Sequence, residues 1–293
     1  MPRDDARLVV AAIVKDNART LGRLFSKLEG LRAELGELAF VVYENNSTDR
    51  SKSVLRGLAL EIPSFTVVSE DIPAPRLAEI ATVRRVDGSL CRIQVIAYAR
   101  ERLREAVLRE RGDFDCALVI DADAAWFSVR GLARNVDRVS SGLCDSVCVN
   151  GMNKWLVYRD AYAYRDLEHP YGPEFLGDYW WDKVVARIQR RLRGEELLPV
   201  YSAFGGAAVY SMEAFRAGRY SAIPDPEFAA AQGKLDVSGA RQDECLAASP
   251  RPIPNTNYLE PIVCEHVPFH YSMREAGFGR ICVDPRWRML FLD

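Results

Sequence analysis

Two carboxylates stand two residues apart where an apolar run ends, in Leu118-Val-Ile-Asp121-Ala-Asp123. A hard divalent cation takes oxygen ligands, and a strand ending at a sheet edge delivers carboxylates there without burying uncompensated charge. The plainer reading is that the two Asp end a strand and cap the next helix. Two other apolar runs end in polar clusters: Leu8 to Val14 runs into Lys15-Asp16-Asn17, and Leu38 to Tyr43 into Glu44-Asn45-Asn46-Ser47-Thr48-Asp49. Asn45-Asn46-Ser47 also has the form of a glycosylation acceptor and of a turn. Further on, Cys264-Glu265-His266-Val-Pro-Phe-His270 holds a carboxylate and two of the three histidines. Zinc would want a second cysteine pair there, and Pro268 interrupts the segment, so structural zinc is not expected. His169, beside Pro170, reads as structural.

Elements that bring these clusters together follow from periodicity. Leu8 to Val14 is a strand, and Leu21, Leu24, Phe25, Leu28, Leu31 and Leu35 recur at helical spacing. Leu38 to Tyr43 is a second strand with a short helix to Leu60, and Phe65 to Ser69 is a third. Ile72 to Gly88 reads as a Pro-containing loop, Arg92 to Arg111 as a long Arg-rich helix, and Cys116 to Ile120 as a fourth, buried strand. Strands alternating with helices imply a mainly parallel α/β sheet covered on both faces, with ligands at the carboxyl ends of its strands. After residue 150 the pattern is less regular and aromatic-rich, from Trp155 to Trp181, a mixture of core and carbohydrate-facing surface. The boundary between two abutting halves, 1–150 and 151–293, is expected there. The stretch from Ile223 to Pro254 reads as a loop or lid.

No Gly-x-Gly-x-x-Gly or P-loop pattern lies near the first strand, so a dinucleotide site and a P-loop NTPase are disfavoured. In this order the motifs resemble the GT-A-fold glycosyltransferases, whose DxD motif holds Mn²⁺ or Mg²⁺ against the diphosphate of a nucleotide sugar. The resemblance implies a Rossmann-like single domain, with 1–150 binding the donor and 151–293 the acceptor. It assigns Asp121 and Asp123 to the metal and, through Asp121 and Ala122, to the donor. Lys15 and Asn17, with Glu44, Asn45, Ser47 and Asp49, match nucleoside-binding loops, and Arg92 and Arg100 lie two helical turns apart on the donor side. Most other arginines of that helix are expected in solvent. Gly205 and Gly206, in Phe204-Gly-Gly-Ala-Ala-Val-Tyr210, match the segment bordering the sugar. His270, or else His266, completes the metal site. An inverting course, placed ahead of a retaining one, needs a carboxylate base: Glu265 first, Asp243 second. Val263 stands where the family often has Asp, and 223–257 has no counterpart in the pattern. A UDP-sugar is expected ahead of a GDP-sugar, with a glycan or glycoconjugate hydroxyl as acceptor. A haloacid-dehalogenase-type phosphatase would open its domain with the Asp-x-Asp, whereas three α/β units precede Asp121; a sugar nucleotidyltransferase would carry a Gly-rich basic loop after the first strand. A non-catalytic nucleotide- or glycan-binding module is the third alternative.

Composition bounds these readings. In 293 residues, 39 Lys and Arg oppose 41 Asp and Glu, so no basic field exists to hold polymeric nucleic acid. No run approaches the length of a membrane span, and Asp4 and Asp5 stand where a signal peptide is positive. Seven scattered Cys, in apolar surroundings, point to a reducing, cytoplasmic setting.

Overall fold

Alternating burial along the first strand sets the architecture. In β1 (Arg7–Val14), Leu8, Val10 and Ala12 enter one core while Val9 and Ala11 enter the other. The structure, a computed structural model, describes residues 6–224 and 257–292. After β1 come α1 (Ala18–Glu29), β2 (Glu37–Asn45), α2 (Ser51–Glu61), β3 (Phe65–Glu70), α3 (Ala74–Ile80), α4 (Arg92–Arg111) and β4 (Cys116–Ile120). Next are β5 (Trp126–Phe127), α5 (Val129–Ser140), β6 (Ser146–Met152), α6 (Pro173–Leu176), α7 (Val185–Arg191), β7 (Leu198–Pro199) and β8 (Ala207–Ser211). The described chain ends with α8 (Met212–Ala217), α9 (His266–Glu275) and β9 (Ile281–Leu290).

One mixed sheet runs in the order β3-β2-β1-β4-β8-β6-β9-β5, with β7 against β9. The pairs among β3, β2, β1 and β4 are parallel, β8 is antiparallel to both β4 and β6, and β6 is parallel to β9. This is the mainly parallel α/β sheet expected from the alternation. α1 packs Leu21, Leu24, Phe25 and Leu28 on one face together with residues of α2 and α5; α4, α8 and α9 cover the other. Each such buried Leu or Phe contributes about 2 kcal/mol of hydrophobic stabilisation. Ser128 starts α5, its Oγ accepting from the Gly131 N–H at 3.1 Å.

One feature departs from the sequence reading. Residues 72–88 are not all loop: α3 forms there with Pro75 in its first turn, where a missing N–H costs nothing. Among the other arginines of α4, Arg102 and Arg109 are exposed as expected, while Arg104 is buried against Glu101 and the Arg216 carbonyl. β8, from beyond residue 150, lies between β4 and β6. The aromatic stretch divides between core and surface. Trp180, Tyr158 and Tyr164 are buried, whereas Trp155 and Trp181 are exposed. Among the described residues no helix is long and apolar enough to cross a membrane.

Candidate functional site

Parallel strands end at one edge, so β1, β2 and β4 bring Lys15, Asn17, Asn45, Asp121 and Asp123 to the same cavity, of about 550 Å³. Its walls also hold Arg92 and Arg100 from α4, Ala122, Gly205, Gly206, Glu265 and His266. Most residues singled out in the sequence therefore converge. Arg100 is the centre of the polar wall. Its Nη2 donates to Asp121 Oδ1 at 2.8 Å, its Nε donates to Glu265 Oε1 at 2.9 Å, and its guanidinium lies 4.6 Å from the Phe204 ring centroid. The neighbouring carboxylates hold Arg100 well above its ordinary range against the cost of burial. Its Nη1 is buried without a hydrogen-bond partner among the described residues.

The Gly-Gly segment is built by backbone geometry. Gly205 (φ 70°) and Gly206 (φ 101°) lie in the left-handed region, and the Gly206 carbonyl accepts from the Asp121 N–H at 2.8 Å. That bond ties the β8 entry to the end of β4. A Cβ on Gly205 would stand 2.2 Å from the Val149 carbonyl oxygen. Gly205→Ala is therefore expected to cost about 2–4 kcal/mol, read as a lower denaturant midpoint; a change under a few tenths would contradict this geometry.

Asp160 and Arg159 are wall residues that spacing alone did not assign. Asp160 accepts from the Gly205 N–H at 3.0 Å, and its carboxyl is pushed up to about 7 by burial and by the carboxylates of Glu265 and Asp121. Arg159 Nη2 is 3.6 Å from Asp123 Oδ2, and its guanidinium lies 3.9 Å from the Phe291 ring centroid. An isolated Asp after an irregular aromatic stretch gives no periodic signal; only the fold carries it to Gly205.

Other expected residues have local work instead. Glu44 is fully buried, accepting from the Ser47 N–H at 2.8 Å and from the Ser69 hydroxyl, and does not line the cavity. Ser47 Oγ accepts from the Asp16 N–H at 3.1 Å, and Asp49 accepts from the Ala18 and Ser51 N–H groups at 3.0 and 2.8 Å. Hydrogen bonds from Ser51 hold the Asp49 carboxyl below its ordinary range. These three residues brace the two loops, while Lys15, Asn17 and Asn45 face the cavity. Asp49 borders a smaller neighbouring depression with Asp16 and Arg19. Asp243, and nearly all of the 223–254 stretch, lies outside the described residues.

Of the two histidines expected at the metal, only His266 reaches the cavity. His270 is fully buried away from the cavity; Nδ1 is 3.0 Å from Ser202 Oγ and Nε2 is 3.2 Å from Tyr210 OH, so both nitrogens are occupied. His266 lines the cavity, stacked on Phe204 with ring centroids 3.8 Å apart, and its Nε2 is 3.5 Å from Glu265 Oε1. Burial lowers His270 to about 3 and, with Arg100 nearby, lowers His266 well below its ordinary value. A histidine that titrates lower when folded binds fewer protons than its unfolded counterpart. Stability is therefore complete above about pH 6.5 and falls below it by about 1.4 kcal/mol per pH unit for each such group. The raised Asp160 carboxyl contributes the opposite sign in this range; His270→Gln, which keeps polar atoms for Ser202 and Tyr210, is expected to remove one histidine's increment from the slope in urea titrations from about pH 6.5 to 5, and an unchanged slope would contradict the assignment.

Among the described residues no three of His, Cys, Asp and Glu form a group able to enclose a metal ion. The cavity offers instead one or two carboxylates, Asp121 and Asp123, a donor set suited to a cation that shares its coordination with phosphate and water. Burial first, and the nearby Glu265 and Asp121 carboxylates second, raise the Asp160 carboxyl beside them. The residues present thus fit Mn²⁺ or Mg²⁺.

The model of the family described as Cryptococcal mannosyltransferase 1 matches residues 7–248. No curated protein matches the chain. Among solved structures, the chain is similar to a TarS fragment from S. aureus, at 8% identity over 98% of this chain and 60% of that one, with a TM-score of 0.47. It is also similar to the mannosyltransferase PcManGT from Pyrobaculum calidifontis, solved with GDP-Man and Mn²⁺, at 17% identity over 75% of this chain and 50% of that one (TM-score 0.42). GalNAc-T7, solved with UDP, GalNAc and Mn²⁺, matches at 13% identity over 98% of this chain and 44% of that one (TM-score 0.49). The chain thus spans 44% to 60% of the length of these structures.

Proposed function

The chain belongs to the Cryptococcal mannosyltransferase 1 family, and from that premise we propose that it transfers mannose from a nucleoside-diphosphate sugar to a hydroxyl of a glycan or glycoconjugate. The observation that carries this reading is the meeting of Asp121, Asp123, Arg100 and Glu265 with the Gly205-Gly206 segment in one cavity. The family description narrows the sugar, and guanosine and uridine diphosphates are both donors to test.

Asp121 and Asp123 would hold the cation. When bound, it supplies positive charge against the diphosphate that leaves as the glycosidic bond breaks. Lys15, Arg92 and Arg159 add positive side chains to the same cavity. Arg100 fixes Asp121 relative to Glu265 through its two hydrogen bonds, so the donor-facing carboxylate and the candidate base keep one spacing. Asn17 and Asn45 offer amide donors and acceptors to base or ribose. Glu265 is the proposed base of an inverting transfer, receiving the acceptor hydroxyl proton. Asp160 is the second reading, because a carboxyl at about 7 has a proton affinity suited to a base at neutral pH. The 1–150 part is assigned to the donor and the remainder to the acceptor, in a reducing, cytoplasmic setting. Incubation with GDP-mannose and with UDP-sugars, each with Mn²⁺, should release nucleoside diphosphate from one of them; release from none, with or without mannose-bearing acceptors, would refute the proposal.

A further inference from the structure

Among the described residues, a group of large exposed apolar side chains lies beside the cavity on a hydrogen-bonded turn. β6 leads into the hairpin 152–158, where the Asn153 N–H donates to the Val157 carbonyl at 2.9 Å and Asn153 Oδ1 accepts from the Trp155 and Val157 N–H groups at 2.9 and 3.1 Å. Leu156 sits at φ 59°, a conformation costly for a branched side chain. The tight tip leaves Trp155 74%, Leu156 62% and Val157 39% exposed. Gln189 of α7 fastens the turn, its Oε1 accepting from the Tyr158 N–H at 2.5 Å and its Nε2 donating to the Leu156 carbonyl at 3.4 Å. Trp181, 49% exposed, precedes Gln189 by two turns of the same helical stretch.

The helical stretch that fastens the turn is rich in cations, with the exposed acids Asp178 and Glu196 at its ends. From Trp180 to Arg193 the chain has five cationic residues and one acid, Asp182. Arg191 turns to Asp166, whereas Lys183, Arg190 and Arg193 are exposed and Arg187 is half-exposed; Lys154 sits on the turn itself. Beyond them Glu195 reaches Arg286 at 3.8 Å.

We propose that the 152–158 turn and the basic helical stretch behind it dock on an anionic lipid bilayer, with Trp155, Leu156 and Val157 entering the boundary between headgroups and acyl chains. Trp suits that boundary, Leu and Val suit hydrocarbon, and Lys and Arg suit anionic headgroups. A carbohydrate platform would want carboxylates and amides around its rings, and Leu156 and Val157 do not stack on sugars. A second copy of the chain across a two-fold axis would set these cations against themselves. The turn exits directly into Arg159 and Asp160, so docking sets the cavity mouth at the bilayer surface. This inference stands apart from the transferase reading.

Sedimentation of the full chain with vesicles tests it. Binding is expected to phosphatidylcholine vesicles containing phosphatidylglycerol, to weaken at high salt, and to be at least about tenfold weaker to phosphatidylcholine alone. Trp155→Ser with Leu156→Ser should lower affinity at least about tenfold, and Arg190→Gln about fivefold, with unchanged circular dichroism and Tm. No binding to either vesicle, binding that ignores these substitutions, or self-association that the double substitution dissolves would overturn the proposal.

Discussion

Glu265→Gln is expected to lower the rate of sugar transfer by about 10²–10⁴-fold while leaving nucleotide binding within about threefold. The amide keeps the shape and an oxygen to accept from Arg100 Nε, so the Arg100 bridge persists and the loss falls on proton transfer. Asp160→Asn is the companion experiment. If Glu265 is the base, removing the Asp160 charge costs about tenfold or less and abolishes any rise in rate centred near pH 7. Should Asp160→Asn lose the larger factor and Glu265→Gln the smaller, the two roles exchange.

Arg100→Met has the largest expected effect on stability. The substitution strips two carboxylates of a partner that is itself 4% exposed, and Glu265 is only 7% exposed. Breaking a buried pair from one side typically costs about 3–5 kcal/mol. Arg100→Lys should recover only part of this, because one ammonium cannot reproduce donors aimed from Nε and Nη2 at two separate acids. A loss below about 1 kcal/mol at neutral pH would show that the bridge carries little.

Much of this was legible in the chain because short-range patterns encode it. Short apolar runs and helical apolar spacing marked β1, α1, β2 and β4, and α4 spans the Arg92–Arg111 interval read from its sequence. Strand ends carried Lys15, Asn45 and Asp121 to one edge once the strands were parallel. Arg100 was legible by its helical spacing from Arg92, but its burial was not, since both its partners lie outside its own helix, one of them 165 residues away. Glu44 and His270 had the right chemistry and the wrong environment. Ser69, paired with Glu44 across β2 and β3, takes that carboxylate, and the Ser202–Tyr210 pair takes His270 where α9 packs on the sheet, contacts that spacing does not encode. Asp160 was legible only as one carboxylate among the aromatics, because its place in the cavity depends on an approach to Gly205 across 45 residues.

Thermal stability with GDP, UDP and GDP-mannose, each with Mn²⁺ and with chelator, tests the central claim most directly. A ligand confined to the folded state adds about 2.7 kcal/mol at 100 times its dissociation constant. One of these nucleotides should raise Tm by several degrees in the presence of Mn²⁺, lose most of that shift with chelator, and lose it again in Asp123→Ala. No shift with any nucleotide, or a shift indifferent to both chelator and Asp123, would contradict a metal-assisted nucleotide-sugar site between Asp121, Asp123 and Arg100.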